Sequence, residues 1–210
     1  MDTDGTDDTI REELRGLFAA EERVVVDARA RATAAAVATA VPPASPEEGA
    51  LLRWLAGRLP RDGACDVVEI GASGGVGALH VLPALPSDAT VTVIEPDTQA
   101  HALAAEALEV GGHGEQVRTI LGDPAEVLPR LADAHYGMCV VQGPPARTAT
   151  LLDDVLRVLA PGGLLVVRGV LRRGEHGAAQ ARLLAQVADD ARLDATVLHE
   201  HDGLLLATLR

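Results

Sequence analysis

From Asp66 onward, short apolar runs alternate with Ala- and Leu-rich stretches of helical period, and this alternation constrains the fold more than any other feature of the chain. A strand that is followed by a helix cannot meet the next strand through a tight turn. The connection crosses over, so the sheet is parallel and the helices cover its two faces. The runs that read as strands are Asp66–Ile70, Thr90–Glu95, Gln116–Leu121, Met138–Gln142 and Leu164–Val167, with helices expected near 76–84, 97–110, 125–132, 147–159 and 176–190. The last two runs differ. Ala195–His199 and Leu204–Leu209 are joined only through a turn at Asp202-Gly203, a link so short that the two must pair antiparallel.

Upstream, Leu14, Leu17 and Phe18 are followed by Val24, Val25 and Ala28 at helical spacing, which predicts one broken helix or two short ones between Ile10 and about Ala40. Pro42, Pro43 and Pro46 interrupt it. Ser45-Pro46-Glu47-Glu48 then has the form of a helix start, with Ser as N-cap, Pro in the first turn and Glu three residues on. Residues 1–9 are acidic and aperiodic and read as a disordered tail. The rest, 10–210, reads as one domain, with N-terminal helices over 10–60 and the sheet-containing core over 64–210. A chain of 210 residues with 48% apolar content can bury one substantial core.

Composition removes several function classes. The net charge of −13, from 31 acidic against 18 basic residues, repels phosphate backbones, so nucleic acid is excluded as a partner. Every basic residue is Arg, which excludes a lysine base. No apolar run approaches the roughly 20 residues that cross a bilayer, and the first residues are acidic where a secretory signal is basic, so no membrane association and a cytoplasmic location are expected. Cys65 and Cys139 sit in apolar strand-like runs and read as buried packing thiols.

The strongest local signal runs from Val67 to Gly77, an apolar strand entering a glycine-rich turn, Gly71-Ala72-Ser73-Gly74-Gly75, and then a helix. Glycines there let the backbone approach a ligand closely. Glu69, two residues before the first glycine, suits a cationic amino group and would repel a pyrophosphate. Glu95 ends the second strand, 24 residues after Gly71, where a carboxylate can accept hydrogen bonds from both ribose hydroxyls. Asp123-Pro124 follows the third strand, and Asp123 reads either as an acceptor for an adenine amino group or as a helix N-cap, the reading that also suits Asp97. All three strand ends lie along the carboxyl edge of one sheet, where open α/β sheets bind ligands.

The ordered set SPEEGALLRWLA, VVEIGASGGVGAL, VTVIEPDTQAHALAAEALEVGG, GDPAEVLPRL, LAPGGLLVV and DGLLLA resembles the catechol and caffeoyl-CoA type of O-methyltransferase, in particular its actinobacterial members, over about residues 10–210. The resemblance implies an α/β, Rossmann-like class I methyltransferase fold, with a mostly parallel seven-stranded sheet, a C-terminal antiparallel hairpin and extra N-terminal helices. It implies S-adenosyl-L-methionine (AdoMet) as cofactor, held by Ala44, Glu69, Gly71, Ala72, Ser73, Gly75, Gly77, Glu95, Asp123 and Pro124. It also implies a small-molecule substrate and a homodimer whose N-terminal helices help cover the site.

At the next two strand ends the chain departs from that family. Where the family carries Asp, Lys and Asp-Asn, three of them ligands to a divalent cation that holds the acceptor oxygens, this chain has Gln142, Pro145 and Arg168-Gly169. No metal is therefore expected, and Gln142, Arg168 and His176 become the candidate catalytic residues. Arg168 either replaces the cation's charge or simply pairs with an acid such as Glu69 or Glu175. His176 and His135 are the candidate bases, and Arg172 and Arg173 flank the expected entrance. These readings support a metal-independent O-methyltransferase or a non-catalytic AdoMet-binding protein. Glu69 and the closing hairpin disfavour a nicotinamide-dependent oxidoreductase.

Overall fold

The computed structural model describes residues 4–35, 42–171, 177–199 and 202–210. Helices α1 (Asp4–Phe18), α2 (Arg23–Ala34) and α3 (Pro46–Ala56) precede β1 (Val67–Ile70). Then follow α4 (Val76–Val81), β2 (Val91–Glu95), α5 (Thr98–Val110), β3 (Val117–Leu121), α6 (Pro124–Val127), β4 (Tyr136–Val141), α7 (Pro145–Val158), β5 (Leu159–Arg168), α8 (Gly177–Asp189), β6 (Leu193–Leu198) and β7 (Leu204–Leu209). The strands form one sheet of order β3-β2-β1-β4-β5-β7-β6. The first five are parallel, and β7 lies antiparallel between β5 and β6. The expected Rossmann-like plan with its closing hairpin is thus the observed one.

Two core layers follow from the two-residue period of the strands. Val67, Val93, Val140 and Val166 point to the layer shared with α2–α5, whereas Val68, Ile94, Val141 and Val167 meet the layer of α7 and α8. β5 starts five residues earlier than Leu164 because Leu159 already pairs with Tyr136, after which the register shifts. Cys139 is buried, as expected, but Cys65 is only partly covered and precedes β1.

The amino terminus needs a correction. α1 begins at Asp4, inside the stretch read as a disordered tail, and only residues 1–3 of that stretch lie outside the described residues. Acidic residues are poor evidence against a helix at its first turn, where they meet the positive end of the macrodipole. The junction near Ala19–Glu22 resolves the broken helix of the sequence into two.

α3 starts as its sequence dictates. The Ser45 hydroxyl accepts from the Glu48 amide at 3.1 Å, and the Glu48 carboxylate accepts from the Ser45 amide at 2.9 Å. α3 packs on α4 through Gly49, where an added Cβ would overlap the His80 imidazole. That ring is buried and bonded to Glu21 at 2.8 Å, so it has nowhere to retreat. Gly49→Val should therefore destabilise the fold by about 2–3 kcal/mol through overpacking. Urea unfolding of the two proteins checks this, and a loss below measurement error would show that α3 and α4 can separate.

Candidate active site

Polar side chains interrupt the sheet face that α2–α5 cover. Glu69, Gln142 and Arg168 stand two residues beyond Val67, Val140 and Val166 and so share their face. Val141 pairs with Val167, which brings Gln142 and Arg168 side by side one step further along. Arg168 is 2% exposed. Its guanidinium donates to Glu48 Oε2 at 2.7 Å, to the Pro42 carbonyl at 3.1 Å and to Gln142 Oε1. The Gln142 amide nitrogen in turn donates to Glu69 Oε1.

Glu69 is buried at the end of β1. Burial pushes its carboxyl up to about 8, against the opposing pull of the Arg168 charge, the Ala78 amide and the Gln142 amide; the neighbouring Glu95 reinforces the rise. Glu95, at the end of β2, accepts from the Ala72 amide at 2.7 Å and the Asp97 amide at 2.9 Å. It thereby ties the glycine-rich turn to the loop after β2.

The turn itself is shaped for close approach. Gly71 has φ +89°, and a Cβ there would overlap the Gln142 carbonyl oxygen; a Cβ on Gly77 would overlap Glu69 Oε1. Ser73 is held at φ +43°, and its buried hydroxyl has no partner among the described residues. A cavity of about 440 Å³ opens over the strand ends, lined among others by Gly71, Glu95, Pro96, Pro124, Gln142 and Arg147. That volume is in the range of small-molecule sites.

Of the residues singled out in the sequence, Gly71, Glu95, Pro124 and Gln142 line this cavity. Ala44, Glu69, Ala72, Ser73, Gly75 and Gly77 are buried without lining it. Asp97 and Asp123 both act as N-caps, accepting from the Ala100 amide at 2.8 Å and the Ala125 amide at 2.9 Å. Asp123 also pairs with Arg147, and these two contacts hold its carboxyl below the usual carboxylate range.

The acid that pairs with Arg168 is Glu48 on α3, not Glu69, and Glu175 lies outside the described residues. Arg168 does not line the cavity either. His135 is also no candidate base: it precedes β4, at the opposite edge of the sheet, and bonds Asp66 at 2.8 Å. His176, Arg172 and Arg173 lie outside the described residues. The sequence reading missed Glu48 and Arg147. Glu48 explains its capping role fully, yet it also stands four and seven residues before Leu52 and Leu55, on the buried stripe of α3, and that spacing was the signal. Among the described residues no three His, Cys, Asp or Glu side chains are grouped to hold a metal ion.

A family model described as a methyltransferase domain matches residues 68–168. A Mycobacteroides abscessus protein named for O-methyltransferase activity is 35% identical over 198 residues, 90% of this chain and 89% of its own. A Mycobacterium tuberculosis protein with the same activity in its name is 34% identical over 200 residues, 89% of this chain and 85% of its own. The chain belongs to this O-methyltransferase family. Two solved structures share the fold at 22% identity. One is a Corynebacterium glutamicum protein, with a TM-score of 0.87 and 97% of both chains covered. The other is the O-methyltransferase TomG of Streptomyces achromogenes, crystallised with AdoMet, with a TM-score of 0.83 and 96% of both chains covered.

In this O-methyltransferase the raised Glu69 carboxyl carries a sign that can be measured. The folded state retains a proton that the unfolded state, near its ordinary 4.5, has already lost. The contribution of Glu69 is therefore full below about pH 4.5 and is lost as pH rises toward 8. Across that window Glu69→Gln should gain on wild type by up to about 1.4 kcal/mol per pH unit. Urea titrations of both proteins at several pH values test this, and a constant difference between them would show that Glu69 ionises normally.

Proposed function

We propose that this chain transfers the methyl group of AdoMet to an oxygen of a small molecule, without a divalent cation. The observation that carries the reading is the carboxyl-edge cavity, in which the Glu95 carboxylate, the Cβ-free Gly71 and the rings of Pro96, Pro124 and Pro144 surround a space of nucleoside size. Glu95 would accept from the ribose hydroxyls. The three proline rings offer flat apolar walls without N–H groups for a purine base. The buried, unpartnered Ser73 hydroxyl supports a ligand lying along the glycine turn. Glu69, Ala72, Gly75, Gly77 and Ala44 would shape the methionine end, and Asp123 would stand at the adenine end.

AdoMet supplies an electrophilic methyl group on a sulfonium when bound. What the chain supplies is alignment: Gln142 sits where the β4 end meets the cavity, its amide held by two buried neighbours. The carboxylates nearest Gln142 are already engaged, Glu48 by Arg168 and Glu69 by the Gln142 amide, and the Arg168 charge beside them opposes a divalent cation. His176 stands as the candidate proton acceptor.

We further propose a homodimer in the cytoplasm. Leu14, Leu17 and Phe18 on α1 and Trp54 on α3 are exposed apolar side chains of the kind that subunit contacts cover. Both cysteines are free thiols, as a reducing compartment maintains them.

Calorimetry should show binding of AdoMet and S-adenosylhomocysteine but not of NAD, with Glu95→Ala weakening AdoMet by about 1–3 kcal/mol. Failure of AdoMet to bind would remove the reading. Turnover with a panel of phenols and carboxylic acids should be the same with EDTA as with added Mg²⁺. Activity that EDTA abolishes would sink the metal-free part alone.

A further inference from the structure

Arg168 is donor-only, fully buried and away from the cavity, so its three acceptors define what it does. One is Gln142 Oε1. Because a guanidinium cannot accept, it dictates which way the Gln142 amide points, and the NH₂ end must face Glu69. The other two, the Pro42 carbonyl and the Glu48 carboxylate, belong to the residues just before α3 and to its first turn. The same Glu48 oxygen also accepts from the Ser45 amide, so the ion pair and the helix cap share one atom.

The segment is held at a second point. Arg29 on α2 donates through Nε to the Ala44 carbonyl at 2.7 Å, while its terminal nitrogens grip Glu21, which His80 also engages. α2 itself rests on the glycine turn, where a Cβ on Gly74 would come within 2.6 Å of the Ala32 methyl group. The contacts close into a ring: glycine turn, α2, Arg29, Ala44, Glu48, Arg168, Gln142, Glu69 and back to the strand that enters the turn. Pro42 and Pro43 stiffen the part of the ring that has no regular structure.

We propose that Arg29 and Arg168 form a two-point clamp on residues 42–48, which makes both of them, with Glu48, positioning residues. The clamp couples the placement of this segment to the orientation of Gln142 and hence to ligand affinity in the cavity. That last step rests on the AdoMet reading above; the clamp itself does not. Arg29 is the informative half, because it neither lines the cavity nor touches the strand ends.

The test compares wild type, Arg29→Lys and Arg168→Lys, in which an ammonium replaces a planar fork that spans several acceptors. Amide hydrogen exchange is followed at Ser45 and Glu48, with Val93 and Val140 in central strands as reporters of global stability. S-adenosylhomocysteine affinity is measured by calorimetry. Both variants should speed exchange at Ser45 and Glu48 by at least about tenfold while Val93 and Val140 stay protected. Both should also weaken S-adenosylhomocysteine severalfold. Unchanged exchange at Ser45 and Glu48 in Arg29→Lys overturns the clamp. Faster exchange in Arg29→Lys with unaltered affinity overturns the coupling to the cavity. A lower kcat in Arg168→Lys with unchanged exchange overturns the positioning role and makes Arg168 catalytic. If Arg168→Lys fails to fold, Arg29→Lys decides alone. If wild type does not bind S-adenosylhomocysteine, the AdoMet reading falls and exchange alone decides the clamp.

Discussion

A guanidinium placed inside a hydrophobic core is the constraint around which this molecule is arranged. Arg168 cannot lose its proton, and an unpaired charge at such depth would cost several kcal/mol, so a carboxylate must be brought to it. The sheet has none to offer at that point except Glu69, whose own burial favours the protonated form. The counter-charge comes instead from Glu48, on a helix that precedes the sheet in sequence. That requirement makes the N-terminal helices part of the core. Removing either partner leaves the other charge buried, which is a stronger reason for their joint presence than any net gain from the pair itself.

The same economy of donors recurs elsewhere in a chain whose basic residues are all arginine. Arg157 donates to the Leu128 carbonyl at 2.6 Å and the Leu131 carbonyl at 3.0 Å, and it also pairs with Asp133. Arg192 joins Asp153 and Asp190, and Arg29 joins Glu21 and the Ala44 carbonyl. Each is a planar fork that satisfies separate acceptors on different elements, which a single ammonium on a flexible stem does less well.

The cavity takes its shape from the carboxyl edge of the sheet. Its floor is the carboxyl edge of β1, β2 and β4, where parallel strands leave their last carbonyls and side chains directed at one crevice. Its close approach depends on Gly71, and its acidic anchor, Glu95, is fixed by the amides of Ala72 and Asp97. At the ends of β4 and β5, hydrogen bonds run from Arg168 through Gln142 to Glu69, a network internal to the protein.

Much of this was determined by the sequence alone. The parallel strands, the closing hairpin, the start of α3 and the alignment of Glu69, Glu95 and Asp123 with strand ends follow from local period and spacing, which depend on neighbours a few residues away. Period even places Gln142 and Arg168 on one face. What the sequence could not supply is which distant group meets each charge. Glu48 and Arg168 are 120 residues apart, Arg29 and Ala44 are 15 apart, and Asp123 pairs with Arg147. Those pairings exist only once helices are laid on the sheet. The energy of a buried charge depends on everything packed around it, so only the tertiary structure could decide them.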